Sequence, residues 1–203
     1  MKLYGDLLSP FVRMSMVTAI EAGLTSRVQL INTGVKPHEV NAALEKLSPI
    51  GKIPILETDH GHAIYDSRVI MEYFTHTGGN TNLLPHEGVK RFRILTLVAL
   101  AQGMADASVS LRYEQAVRPE TGRWPEFAAR VKARINACLD ELENNWREDL
   151  QQVSLGSIAT AVALGYLDIR HDALGWRKDR ANLDQFNQGF IKRDSMINTA
   201  IKV

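Results

Sequence analysis

The pattern of apolar and polar positions changes character once along the chain, near residue 80. Before that point, short alternating runs are interleaved with helical repeats. Lys2 to Tyr4 reads as a short strand, and Pro10 to Ala22 as a helix that stops at Gly23, a residue suited to the position just past a helix end. Arg27 to Ile31 alternates as a second strand, while His38 to Lys46 carries Val40, Ala43 and Leu44, with Leu47 following, at the spacing of a second helix. Ile55 to Glu57 and Ala63 to Tyr65 flank Asp59-His60-Gly61-His62 and read as a hairpin. Asp66 to His76 forms a third helix closing at Gly78-Gly79. This order predicts a small α/β unit with a mixed sheet over residues 1–77.

Residues 78–86, rich in Gly and Asn and ending near Pro85, read as a linker, after which strand signals disappear. Residues 87–117 form one long Ala-, Leu- and Val-rich helical pattern. Residues 125–148 form another, with Phe127, Val131, Ile135, Leu139, Leu142 and Trp146 on one face. Ser154 to Ile169 is nearly all apolar and predicts a buried central helix, and Leu183 to Ile191 a last one. Residues 87–203 are therefore expected to be all-helical. No repeat or low-complexity tract interrupts either part.

Composition narrows the function classes. A chain of 203 residues can bury one large core or two small ones. With 24 basic and 23 acidic residues the formal charge is +1, which argues against nucleic acid as the main partner. No run approaches the roughly 18 to 20 consecutive apolar residues of a membrane span, and Met1-Lys2-Leu3-Tyr4-Gly5 opens no signal-peptide stretch. The expectation is a cytoplasmic protein without a membrane partner. The single cysteine, Cys138, excludes an intrachain disulfide or a Cys-x-x-Cys pair, and its place on an apolar helix face reads as packed and inert. His60 and His62 flank a turn glycine and read as solvated, so no metal is expected. Asp106 interrupts the apolar surface of the long helix and either faces a cleft or pairs locally.

Three segments carry candidate chemistry. Pro54 stands inside the apolar run Ile53-Pro54-Ile55-Leu56, where a central strand cannot spare a ladder donor. It marks a bend, a strand's first residue or a cis peptide, and in each case the backbone of Ile53 is partly freed to pair with an extended ligand. Ser9-Pro10 is a favoured helix start, and Ser9 reads as a plain cap. The same geometry stabilises an anion through unpaired N–H groups and the hydroxyl. If the anion is a thiolate, lowering a thiol pKa from about 8.5 to about 6.5 needs about 2.7 kcal/mol. A charge-assisted hydrogen bond of roughly 1.5 to 3 kcal/mol and a helix dipole of about 0.3 to 1 kcal/mol suffice. Asp66-Ser67 likewise caps the third helix, or holds an amino-acid head group, Asp66 taking the ammonium and Ser67 the carboxylate. Lys52 and Arg68 read first as exposed surface residues, with added charge for the ligand as the alternative. The three segments together suit a small peptide with charged ends.

Ser9-Pro10-Phe11-Val12-Arg13, then Leu47-Ser48-Pro49-Ile50-Gly51-Lys52-Ile53-Pro54-Ile55-Leu56, then Asp66-Ser67-Arg68-Val69-Ile70-Met71-Glu72-Tyr73 occur in an order and spacing that resembles the soluble glutathione transferases, particularly bacterial members with serine at the first helix. In the second half, Ala163-Leu164-Gly165-Tyr166-Leu167-Asp168 resembles the family's central helix, and Leu183, Phe186, Phe190 and Arg193 its last helix. The resemblance implies a thioredoxin-like domain with a mixed four-stranded sheet, followed by an all-α domain. It implies glutathione on the first domain as co-substrate and a hydrophobic electrophile in a cleft, in a homodimer serving detoxification. Ser9 would stabilise the thiolate, Ile53 before a cis Pro54 would pair with the cysteinyl backbone, and Asp66 with Ser67 would hold the γ-glutamyl end. Phe11 and Lys52 join the glutathione site, and Leu8, Ala107, Leu111 and Tyr166 the electrophile side.

One departure bears on folding. The family's central helix begins with Ser or Thr and an acid three residues on, whereas here Ser154-Leu155-Gly156-Ser157 places Ser157 at the acid's position. The reciprocal cap is expected to be weakened by about 0.5 to 2 kcal/mol. Conjugation of glutathione to electrophiles is the leading expectation. Peroxide reduction or dehalogenation at the same site, and a glutathione-transferase-like binding or regulatory protein with little catalysis, are the rivals.

Overall fold

The computed structural model describes residues 1–201. The chain divides into two compact units, one built from Met1–Gly88 with the segment from Arg193 onward, the other from Val89–Lys192.

In the first unit, strand β1 (Lys2–Gly5), helix α1 (Pro10–Glu21), β2 (Gln29–Asn32), α2 (Ala42–Leu47), β3 (Ile55–Glu57), β4 (Ala63–Ile64) and α3 (Ser67–Gly78) follow one another. The sheet order is β2-β1-β3-β4, with β1 parallel to β2 and the other pairs antiparallel. This is the expected thioredoxin-like arrangement. Leu3, Ile55 and Leu56 from the sheet, Val12, Met14 and Val17 from α1, and Ile70, Met71 and Phe74 from α3 are buried as its core. The ends of α1 and α3 come so close that a Cβ on Gly78 would stand 2.2 Å from the Ala22 carbonyl oxygen, so only glycine fits there. Helix α2 is shorter than its apolar spacing predicts. The Asn41 side chain accepts the Leu44 N–H at 3.2 Å and starts the helix there, leaving His38 to Val40 outside it. A short helix, α9 (Asp194–Asn198), which the sequence pattern does not announce, closes this unit against α1.

The second unit holds α4 (Val89–Arg112), α5 (Pro125–Asn145), α6 (Arg147–Leu150), α7 (Leu155–Arg170) and α8 (Ala181–Phe190). Helices α4 and α7 form its centre; a Cβ on Gly156 would lie 2.6 Å from Leu97 Cδ2, so glycine sets their close approach. The segment Val89–Val117 is long and apolar enough to cross a bilayer on length and composition alone, and its most apolar stretch is 56% buried, as a core helix requires. The expected single helix over 87–117 widens at Arg112 into a π-helical turn, Tyr113–Val117. There the buried Glu114 carboxylate accepts from Arg118 Nε at 2.7 Å and from the Trp124 N–H, tying the loop to the start of α5. Phe127 leaves the apolar face assigned to it: it is 38% exposed and stacks on Trp124, while Val131, Ile135, Leu139 and Leu142 are buried.

The expectation of a weakened cap on α7 is corrected. Ser157 Oγ accepts the Ser154 N–H at 2.8 Å, Ser154 Oγ accepts the Ser157 N–H at 3.3 Å, and Ser157 Oγ also donates to the Ser154 carbonyl at 3.0 Å. A hydroxyl both accepts and donates, so serine closes the box that an acid closes by accepting alone.

Candidate functional site

Strand register brings the three chemical segments to one end of the sheet. Tyr4 pairs with Ile55 and Leu56 with Ile64, so the chain leaves β1 and β4 where it enters β3. The loop before α1, the Ile53-Pro54 turn and the start of α3 therefore share that end. The exit of β2 joins them, since the Thr33 N–H donates to the Gly5 carbonyl at 3.3 Å. A surface pocket of about 340 Å³ follows, with Gly34, Lys36 and Asn41 in its lining. Sequence reading passed over this stretch, whose signal is a polar Gly- and Asn-containing connection.

Each segment is shaped locally. Asp6 accepts the Leu8 N–H on its carboxylate at 2.7 Å and the Ser9 N–H on its carbonyl at 2.9 Å, a turn that delivers Ser9 to the N-cap of α1. Ser9 Oγ lies 3.5 Å from the Val12 N–H. That is beyond the usual range, so the hydroxyl is only loosely engaged by its own helix. Phe11 sits in the first turn, half-buried, and Leu8 is 39% exposed.

Buried Ser48 shapes the second segment: its hydroxyl accepts the Ile50 N–H at 3.4 Å and its carbonyl the Gly51 N–H at 3.1 Å, with Gly51 at φ 62°. Lys52 follows, exposed, and the Ile53-Pro54 bond is cis, the one of the three readings of Pro54 that the family resemblance implies. The β3 ladder begins only at Ile55, leaving Ile53 outside it. At the third segment Asp66 is the exposed N-cap of α3, accepting the Arg68 N–H at 3.0 Å, and Ser67 beside it is buried. The Tyr65-Asp66 bond is also cis.

Ala107, Leu111 and Tyr166 lie in the helical unit, the first two on α4 and the third on α7, and all are buried. Burial pushes the Tyr166 hydroxyl above its ordinary pKa, with Arg170 and Arg112 opposing and Tyr113 adding to the rise. His171, just past α7, holds the Ser108 carbonyl of α4 through Nε2 at 2.8 Å; burial pushes its pKa down, the Ser108 contact opposes, and Arg112, Lys132 and Arg170 add to the fall. Arg112, Tyr113, Arg170 and His171 escaped the sequence reading. Their only linear signal is the four-residue spacing of Tyr166 and Arg170. His60 and His62 are exposed at their turn, Asp106 is exposed on α4, and burial raises the pKa of half-buried Cys138. Among the described residues no group of three or more His, Cys, Asp or Glu is placed to hold a metal.

Residues 8–77 match the family described as glutathione S-transferase, N-terminal domain. An uncharacterized GST-like protein of Escherichia coli K12, YibF, is 33% identical over 98% of both chains. Among solved structures, a glutathione transferase family member from Pseudomonas fluorescens Pf-5 with bound glutathione is 38% identical, superposes with a TM-score of 0.97 and covers 100% of this chain and 99% of its own. A second structure from that organism, at 37% identity and TM-score 0.92 with full coverage of both chains, contains S-(propanoic acid)-glutathione. A glutathione S-transferase from Methylobacillus flagellatus KT with glutathione bound is 29% identical, with a TM-score of 0.85 and 99% coverage of both chains. With a relative aligned over nearly its whole length and a family match over the three segments at the sheet end, the chain belongs to the glutathione S-transferase family.

Proposed function

We propose that this protein is a glutathione transferase that conjugates the glutathione thiolate to hydrophobic electrophiles. The observation that carries the reading is the gathering of Ser9, Ile53-Pro54 and Asp66-Ser67 at one sheet end. The loosely engaged Ser9 hydroxyl and the α1 N-terminus donate to the thiolate, while Ile53, outside the ladder, offers its backbone to the cysteinyl residue. Asp66 pairs with the γ-glutamyl ammonium, and Ser67 with the α3 N-terminus takes the adjoining carboxylate. Phe11 and Lys52 flank the peptide. The thiolate sulfur forms a bond to the electrophilic carbon, and a leaving group such as halide departs with the electron pair of the bond that breaks. Leu8, Ala107, Leu111 and Tyr166 serve the electrophile, in a cytoplasmic homodimer. Glutathione in the solved relatives supports the co-substrate.

The rival of a binding protein with little catalysis drew support from the altered capping box and from the lack of a catalytic cysteine or tyrosine at the first helix; the closed Ser154–Ser157 box removes only the first of these. Retention on immobilised glutathione followed by conjugation assays across several electrophiles tests the proposal. Binding with turnover is expected, and binding without turnover of any of them would leave the rival in its place.

A further inference from the structure

Of the Arg, Lys, Asp and Glu side chains among the described residues, two are buried, Glu114 and Arg13. Glu114 pairs with Arg118 at 2.7 Å. Arg13, 8% exposed at the end of the first turn of α1, meets no carboxylate among the described residues. Its Nη2 donates to the Met196 carbonyl at 3.2 Å and its Nε to Thr199 Oγ1 at 3.4 Å, both neutral partners from the segment that returns to this unit. Thr199 is buried as well, and its hydroxyl donates to the Ser195 carbonyl at 2.8 Å. Burial pushes the guanidinium pKa down, yet arginine stays charged at neutral pH.

A buried charge without a counter-charge is strongly unfavourable, and an apolar side chain of similar shape is often as stable in its place or more so. Packing therefore does not account for the arginine, but its position does. The Arg13 N–H donates to the Ser9 carbonyl at 3.0 Å, so the two residues stand one turn apart on one face of α1, with side chains about 5 to 6 Å from each other at their Cβ atoms. Helical side chains lean toward the N-terminus of their helix, which directs Arg13 toward the end that Ser9 caps. The other charged groups on the elements packed around α1 are engaged or face outward. Glu21 is held by Arg193, beside Asp194, at the far end of the helix, and Lys2 and Tyr4 of β1 are held by Glu57. Arg68, Glu72, Tyr73 and His76 of α3 lie off its buried face. At the sheet end, Asp6 accepts the Leu8 N–H and Asp66 caps α3.

We infer that Arg13 is a positioning residue for the thiolate: its uncompensated charge, fixed by Met196 and Thr199, adds to the positive end of α1 and draws the glutathione sulfur into its ionised form at Ser9. This rests on the conjugation reading above and gives its nucleophile a second source of stabilisation. The thiol loses its proton to solvent, the sulfur keeps the bonding pair, and no bond to Arg13 forms.

The thiol pKa of bound glutathione, read from thiolate absorbance across pH, tests this. The wild type is expected to hold it below the free value, and Arg13→Met, which keeps an apolar stem without the charge, should raise it by about one unit. The pH profile of kcat for a chromogenic aryl halide should move up by the same amount, with a much smaller change in the KM for glutathione. Arg13→Lys keeps the charge and should keep most of the depression. Thr199→Val removes a packing partner and leaves the charge, so its thiol pKa should match the wild type even if its melting temperature falls. A thiol pKa unmoved in Arg13→Met, or raised as much in Thr199→Val, overturns the inference. If Arg13→Met does not fold, Ser9→Ala decides: with the hydroxyl gone the bound thiol should stay about one unit below free glutathione, and a full return to the free value overturns the inference. A wild type that lowers the thiol pKa but turns over no electrophile ends the conjugation reading, while the comparison with Arg13→Met still decides the role of Arg13.

Discussion

Ser157 and Ser154 each accept the other's backbone N–H, at 2.8 and 3.3 Å, at the buried start of α7. Both serines are buried, so no water replaces a lost partner. Ser157→Ala would strand the Ser154 N–H and is expected to cost about 1 to 3 kcal/mol. Urea unfolding of the two proteins measures this, and equal midpoints would show that the box contributes nothing.

Ser9→Ala should slow turnover of a chromogenic aryl halide far more than it weakens glutathione binding. Loss of one hydrogen bond to a charged sulfur, about 1.5 to 3 kcal/mol, corresponds to roughly a tenfold to hundredfold fall in rate at neutral pH. Titration of bound glutathione by thiolate absorbance should show its pKa rising toward the free value. An unchanged rate would remove Ser9 from the chemistry.

Asp66 caps α3 and is proposed to hold an ammonium, and the two roles separate by substitution. Asn caps a helix about as well as Asp but carries no charge. Asp66→Asn should therefore melt like the wild type while its KM for glutathione rises about tenfold. Asp66→Ala should lose, in addition, about 0.5 to 2 kcal/mol of stability. A glutathione KM unchanged in both variants would leave Asp66 a cap and nothing more.

Glu21, at the end of α1, accepts two hydrogen bonds from Arg193, at 2.8 Å each, and another from Ser195, fastening the returning segment to the first unit. Burial pushes its carboxyl pKa up, but Arg193 and Ser195 outweigh this and hold it below its ordinary value of 4.5. A depressed folded pKa gives stability that is complete above the unfolded value and lost as pH falls through the folded one. The gap in melting temperature between wild type and Glu21→Gln should be constant above about pH 5 and shrink below it. A gap that widens as pH falls below about 5 would contradict the sign.

Local chemistry made much of the first unit legible. Ser9-Pro10, Asp66 and Gly79 mark helix ends through caps and a left-handed φ of 68° at Gly79, and these depend only on neighbours in the chain. Pro54 flagged its own bend for the same reason. Helix α2 and Phe127 were misplaced because apolar spacing alone cannot tell which apolar residue is covered. Asn41 decided the first and the Trp124 stack the second.

By itself the sequence determined the order of elements from β1 to α3, the candidate residues on them and the family resemblance, because turns, caps and periodicity are properties of a few consecutive residues. Tertiary structure alone decided that β1, β3 and β4 open toward one end, that the chain from Arg193 returns to α1, and that His171 meets the Ser108 carbonyl of α4. Those relationships join residues far apart in the chain, and they exist only once strand register and helix packing have fixed their distances.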